Sequence, residues 1–435
     1  MSILARLPPV LVPEVAQDLS LRELLNLCKV SKACHSLFER ELYRSVLLTF
    51  DHSQNSSTKG QSIRQLLANL LRRPEIAVWI LSFTARETGF GPKPRLGAVL
   101  STSELLLLHS ILGRAKMADI DSWMSDLRQG DLETIVAMII VQLPQVQSLT
   151  LDLFFRHDDD TAYLENERNR IQQVLALAVA APVERSELPG VMPVLFLPAL
   201  DCATLKIDQP EAGIRGLARR EPKQSRLRLL RLRYSSISDG VLATITAAAP
   251  RLRALDIEFD RDMRCLDESE TPGFHGPSLL ASLSPCQVQL ESLRIVCHIN
   301  DPFLEVPWSC FFTHPIGSLR DFGGLRSLEV ELALLLGRDQ ITAQGLADAL
   351  PLSLSRIGIR EDGYGVASID AMEEAIREFP AIARSALLQL NKVEIFADVQ
   401  VWGQKRMSQI QAAYESTPLD LAICHIERLA PEEIF

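Results

Sequence analysis

Eight basic residues fall between Arg215 and Arg233: Arg215, Arg219, Arg220, Lys223, Arg226, Arg228, Arg231 and Arg233, with Glu221 the only acid among them. Guanidinium forks match the geometry of carboxylates and phosphates, so this run is suited to holding an acidic or phosphorylated segment. The remaining reactive side chains offer less. His157-Asp158-Asp159-Asp160 carries metal-ligand types, but consecutive carboxylates point in divergent directions and the run reads as a solvated loop. Cys34 and His35 are adjacent within an expected helix, where neighbours face different ways, so a buried thiol and an exposed imidazole are expected rather than a nucleophile and its base. Gly363-Tyr364-Gly365 lacks the rest of a dinucleotide fingerprint and reads as a turn. No nucleophile elbow, phosphate-binding loop or H-E-x-x-H motif is present. Trp79 and Trp308 read as packing residues. The cysteines at 28, 34, 202, 265, 286, 297, 310 and 424 show no C-x-x-C spacing, so reduced, mostly buried thiols are expected. The expectation is a non-catalytic protein with no metal and no cofactor.

The chain has 435 residues, 47% hydrophobic and 23% charged, which excludes a largely disordered protein. Lys and Arg number 45 against 55 Asp and Glu, a net charge of −10 that disfavours nucleic acid as a partner. The apolar run Ile135–Val141 is far shorter than the roughly 20 residues of a membrane-spanning helix, and Glu14 interrupts any secretory-type apolar run near the N-terminus. A cytoplasmic or nuclear location, without membrane contact, is expected.

What must position the arginines is a repeat. The pattern apolar-x-x-apolar-x-apolar begins at Val78, Val146, Cys202, Leu227, Leu252, Leu290, Leu325, Leu354 and Leu390, with a weaker tenth copy at Ser416. Each reads as a short strand with alternate residues turned inward. Helical segments lie between them: Asp131–Leu143, Asn166–Ala181, Ser238–Ala249, Ala343–Leu350, Ser368–Arg377 and Gly403–Tyr414, several ending before a proline. One strand-helix unit cannot cover its own apolar side, whereas stacked units share a continuous core. The expected fold class is therefore α/β, a solenoid with parallel strands on one face and helices on the other. In-register strands would align Lys206, Arg231, Asp256, Arg294 and Glu329 in one outward row, and Asp208, Arg233, Glu258, Val296 and Glu331 in the next. Alternating signs predict cross-strand pairs such as Arg231 with Asp256 and Arg233 with Glu258, each worth about 0.2–1 kcal/mol. Against that reading, the arginine run exceeds what two acids can neutralise, leaving Arg226, Arg228, Arg231, Arg233 and Arg294 as candidates for binding a target.

The N-terminal residues 7–46 read as a helical module, with a helix starting near residue 12, Ser20 as the next cap, and a second helix from Leu21 to about Arg40. Placed on that second helix, the apolar residues cover about 180° of arc, wider than the roughly 100° stripe of a surface helix. A surplus of apolar surface on so small a module suggests a partner.

Two resemblances follow from these residues. Leu230 to Leu255, with its 25-residue spacing and Ser235 where cysteine is frequent, resembles the leucine-rich repeats of F-box proteins. Leu7-Pro8, Leu11, Val15, Leu19-Ser20, Leu24, Leu27, Val30-Ser31, Phe38 and Leu42-Tyr43 resemble the F-box itself, with Val10 and Pro13 as departures. The resemblance implies that Leu7, Pro8, Leu11, Val15, Leu19, Leu24, Leu27, Val30, Phe38, Leu42 and Tyr43 bind a Skp-type adaptor, and through it a cullin–RING ubiquitin ligase. The repeats would then capture an unknown target protein. Alternatives are a helical cap on the end of the solenoid, or a repeat scaffold with no role in ubiquitin transfer. The expected organisation is an F-box-like module at 1–48, a linker or helical connection at 49–73, and a solenoid at 74–435 with inserts near 258–277 and 298–322.

Overall fold

The fold is α/β, and in the computed structural model it is described for residues 8–51, 57–88, 100–114, 120–152, 197–205, 225–235, 239–261, 274–299, 312–337, 340–361, 369–397 and 399–425. The chain forms two compact units, Met1–Ala203 and Thr204–Phe435. Leu7, the His157–Asp160 run, the helix expected at 166–181, Lys206, Asp208, Arg215 to Lys223, Trp308 and Gly363 to Gly365 lie outside the described residues.

The first unit opens with α1 (Val12–Gln17), where Pro13 sits harmlessly in the first turn. Ser20 then caps α2 (Leu21–Val30): its hydroxyl accepts the Glu23 N–H while Glu23 accepts the Ser20 N–H, a reciprocal capping box. The single helix expected from Leu21 to Arg40 is instead two, because Ser31 is extended (φ −161°, ψ 159°) and its hydroxyl accepts the Cys34 N–H at 3.1 Å to open α3 (Lys32–Tyr43). A serine that offers this bond competes with helix continuation. The broad apolar arc was two narrower faces drawn on one axis. Both faces close on a core of Val12, Ala16, Leu24, Cys28 and Phe38, flanked by Val15, Leu19, Leu27, Leu37 and Leu42.

After the three helices come β1 (Ser45–Asp51), α4 (Ser57–Arg72), α5 (Glu75–Trp79), β2 (Ser82–Thr88), α6 (Thr102–Arg114), α7 (Ile120–Gln129), α8 (Leu132–Ile140) and β3 (Ser148–Asp152). β1, β2 and β3 are successive parallel neighbours. The strand ladder thus begins at Ser45, ahead of the boundary expected at 74, and α4 occupies most of the stretch expected as a linker or helical connection. Asp131 caps α8 by accepting the Thr134 N–H, and every residue of that helix except Glu133 is buried.

Three repeat copies are displaced by two residues from their expected positions. Phe83 and Ala85 stand beside Leu149 and Leu151, so the first copy in this series is Ile80-x-x-Phe83-x-Ala85, while Val78 is exposed. Asp201 and Cys202 both donate to the Gln147 carbonyl, which makes Leu200, Ala203 and Leu205 the buried set of β4 (Cys202–Leu205). At the far end, Leu421 and Ile423 of β13 (Asp420–His425) pair with Val393 and Ile395, replacing the copy expected at Ser416. In the first two cases a small alanine fills an inward position, and in the third Pro418 holds the leading one.

The second unit contains β5 (Leu229–Ser235), α9 (Asp239–Ala248), β6 (Ala254–Arg261), β7 (Phe274–His275), α10 (Gly276–Leu283), β8 (Ser292–Ile299), β9 (Phe312–His314), β10 (Ser327–Glu331), α11 (Leu332–Leu336) and α12 (Ala343–Ala349). Then follow β11 (Arg356–Glu361), α13 (Ile369–Ala386), β12 (Lys392–Ala397), α14 (Val399–Glu415) and β13. Its main strands run in the order β5-β6-β8-β10-β11-β12-β13, and each described pairing is parallel. Leu230, Leu255, Leu293, Leu328, Ile357 and Val393 lie side by side, and all are buried. Consecutive helices pack together, α9 with α10, α12 with α13 and α13 with α14. This is a solenoid-like arrangement. Helix α13 was expected to stop at Arg377 but continues through buried Pro380, because Phe379 and Ala383 extend its buried stripe. The bases of the two inserts meet, β7 pairing with β9, and Gly276 rests against the Pro315 backbone, where an added Cβ would lie 2.2 Å from the Pro315 carbonyl carbon.

One hydrogen-bond motif recurs at the start of most strands of the main ladder. In the first unit the Arg44 carbonyl accepts the Leu81 and Ser82 N–H groups, and the Leu81 carbonyl accepts those of Gln147 and Ser148. In the second, the carbonyls of Arg228, Arg253, Glu291, Arg326 and Ser355 each accept two N–H groups from the following repeat, at 2.7–3.2 Å. These forked bonds hold the repeats in register before side-chain packing is considered.

Candidate functional site

The N-terminal module divides the residues expected to bind an adaptor. Leu24 and Phe38 are in its core; Val15, Leu19, Leu27, Leu42 and Tyr43 are half-buried; Pro8, Leu11 and Val30 are exposed. Val10 and Val30 are 80% and 67% exposed, and Leu21 and Leu25, one turn apart on α2, are exposed as well. Leu21 and Leu25 did not stand out in the sequence; their i, i+4 spacing, immediately beside the Leu24–Cys28 stripe on the same helix, was the available signal. The module is tied to α5 by Arg73, which donates to Glu39 at 2.6 Å and to Glu75 at 2.8 Å and lies over the Trp79 ring. Trp79 also meets Tyr43, with ring centroids 6.5 Å apart. The Arg73 hydrogen bonds hold the Glu39 carboxyl below its ordinary range although burial opposes this. Cys34 is wholly buried while the His35 ring is half exposed, as its helical position required.

On the second unit, the residues that alternate with the buried apolar set form a charged face. Arg231, Asp256, Arg294, Glu329, Gly358 and Glu394 align across six strands. Arg294 is its centre: it donates to Asp256 at 2.7 Å, Glu258 at 2.5 Å and Glu329 at 2.9 Å. Burial works against its charge, but the bonds to Asp256, Glu258 and Glu329 outweigh it and raise the guanidinium pKa. Arg360 donates to Glu329 at 3.0 Å from the other side and sits over the Phe396 ring. Arg356 and Lys392 both engage Glu394; burial tends to raise the pKa of that carboxyl, and the two donors reverse the shift to a net lowering. Glu331 accepts the Cys297 N–H at 3.1 Å, just beyond the last paired residues of β8 and β10. Gly358 makes room in the row, since a Cβ there would lie 3.0 Å from both Glu329 and Phe396.

Among the arginines expected to bind a target, Arg294 is thus engaged by three carboxylates of its own chain. Arg231 and Arg233 stand 3.8 Å from Asp256 and Glu258; Arg231 is exposed and Arg233 partly so. Arg226 and Arg228 are exposed just before β5. The register brings Arg231 and Asp256 together as expected, and slips after Leu232.

The six described cysteines are free thiols. Among the described residues no group of three or more His, Cys, Asp or Glu is placed to hold a metal ion, and no helix is long and apolar enough to cross a membrane. A scan against protein-family models finds no match, and no curated protein matches the chain.

Proposed function

We propose that this protein is a non-catalytic substrate receptor of an SCF-type ubiquitin ligase, with residues 1–48 as the F-box that docks a Skp-type adaptor and the repeats as leucine-rich repeats that hold a target. The observation that supports this most is the exposure of Val10 and Leu11, in the turn before α1, and of Leu21, Leu25 and Val30 on α2, in a module whose core is already closed. Large apolar side chains concentrated on so small a module are surface suited to a partner. The contribution to rate would be proximity, a target lysine held near the ubiquitin carrier with no chemistry by this chain.

The test is co-purification of a Skp-type adaptor with the full chain, compared with Leu11→Glu and Val30→Glu. Both side chains are exposed, so the variants are expected to fold and to lose the adaptor. Retention of the adaptor by both, or its absence from the parent protein, would leave the repeat scaffold without a role in ubiquitin transfer as the better reading.

A further inference from the structure

The strand-start edge of the second unit carries a surface that the charged face does not include. Val288, Leu352 and Leu388 each stand two residues before a buried leading leucine of the repeat, Leu290, Leu354 and Leu390, and they are 76%, 66% and 85% exposed. Three repeats therefore present a large apolar side chain at the same edge position. The intervening repeat has Gly323 there, which leaves a gap.

At that gap an open groove of about 380 Å³ is lined by Val288, Gly324 and Ser353 together with Arg253, Glu291 and Arg326. Gly324 forms its close wall: a Cβ at this position would lie 2.5 Å from the Val288 carbonyl oxygen, so the approach needs glycine. The charge of the groove is positive. Arg253 shares Glu291 at 3.3 Å in a pair that is about half exposed, and such pairs are weak. Arg326 is exposed and has no ion-pair partner among the described residues. Arg226, Arg228 and Arg251, all exposed, continue the same edge. In a chain of net charge −10 this is a local basic strip beside a row of apolar side chains.

We propose that this edge binds a short extended peptide segment carrying both acidic and large apolar side chains. Adjacent parallel strands are about 4.8 Å apart, so Val288 and Leu352 are separated by about 10 Å, the length of roughly three residues of extended chain. A peptide crossing the strand starts can set apolar side chains on Val288 and Leu352 and carboxylates on Arg253 and Arg326, with electrostatics supplying attraction and orientation. The inference rests on the target-binding half of the proposed function, but its test uses no adaptor, so the two fail separately.

The experiment is fluorescence anisotropy with the full chain and a labelled octapeptide of alternating glutamate and leucine. Companion peptides alternate lysine with leucine and glutamate with serine. The glutamate–leucine peptide is expected to bind best. Arg253→Glu with Arg326→Glu should weaken it by about tenfold or more, Arg253→Gln with Arg326→Gln by less, and Leu352→Ser with Leu388→Ser by about fivefold. All these side chains are exposed, and unchanged circular dichroism would confirm intact folding. No binding by the parent protein, equal binding of the lysine–leucine peptide, or unchanged affinity in the charge and leucine variants would overturn the proposal.

Discussion

Arg294 reaches Glu258 at 2.5 Å across the β6–β8 pair, although the two side chains lie in different outward rows. The diagonal reach turns two rows of alternating charge into one connected network, because the same guanidinium also holds Asp256 and Glu329. Replacing Arg294 by methionine leaves three carboxylates facing one another on a largely buried face, of which Glu258 is the most deeply covered. A loss of about 2–3 kcal/mol is expected, somewhat below the range for a fully buried ion pair because Arg294 keeps some exposure. Urea denaturation with an unchanged slope would measure it, and adding Glu258→Gln should recover part of the loss.

Stability should also fall in acid in a specific window. Glu394 and Glu39 are held below the ordinary carboxylate value of 4.5 by hydrogen bonds from Lys392 and Arg356 and from Arg73. A lowered pKa means that the unfolded chain takes up protons first, so the stabilisation is complete above pH 4.5 and is lost as pH drops through the folded-state values. Thermal unfolding followed from pH 7 down to about pH 3 should show a flat region and then a decline, and Glu394→Gln should make the decline shallower.

Gly276→Ala should be among the most damaging single-methyl additions. The new Cβ would meet Pro315 backbone atoms, which cannot rotate away as a side chain could. A cost of about 2–3 kcal/mol is expected, read as a lower melting temperature. Gly113→Ala, where nothing lies within 4 Å, serves as the control and should be neutral or slightly stabilising.

Thiol reactivity should follow burial. Cys286 is pushed up to about 11 by burial, and burial raises Cys28 as well, so both should resist alkylation in the native protein near pH 8. Cys202 and Cys424 are partly exposed and should react first among the described cysteines. Mass spectrometry of peptides after brief iodoacetamide treatment gives the order directly.

Much of the strand ladder was legible because Leu, Ile and Val at period two leave few alternatives where a face is buried. Leu230 beside Leu255 is the clearest instance. The displaced copies at Ile80, Leu200 and Pro418 were not legible, since alanine or proline at an inward position carries no apolar signal while an adjacent partly exposed residue does. The break at Ser31 was missed for a related reason: serine inside a Leu-rich helix looks tolerable until its hydroxyl is seen to take up the Cys34 N–H. For the charged face, the sequence supplied row neighbours such as Arg231 and Asp256. It could not supply the diagonal bonds of Arg294, which depend on a long side chain leaning between rows. The apolar edge residues Val288, Leu352 and Leu388 share one repeat position, but residue type alone does not separate an exposed valine or leucine from the buried leucines two residues on.

The forked carbonyls at the strand starts have a consequence for how this chain can vary. Because each repeat is fastened to the one before it at a single point of entry, what happens after the strand leaves is free to lengthen. Additions on the exit side leave the alignment of everything downstream intact, whereas a one-residue deletion at the entry side would propagate to all later repeats.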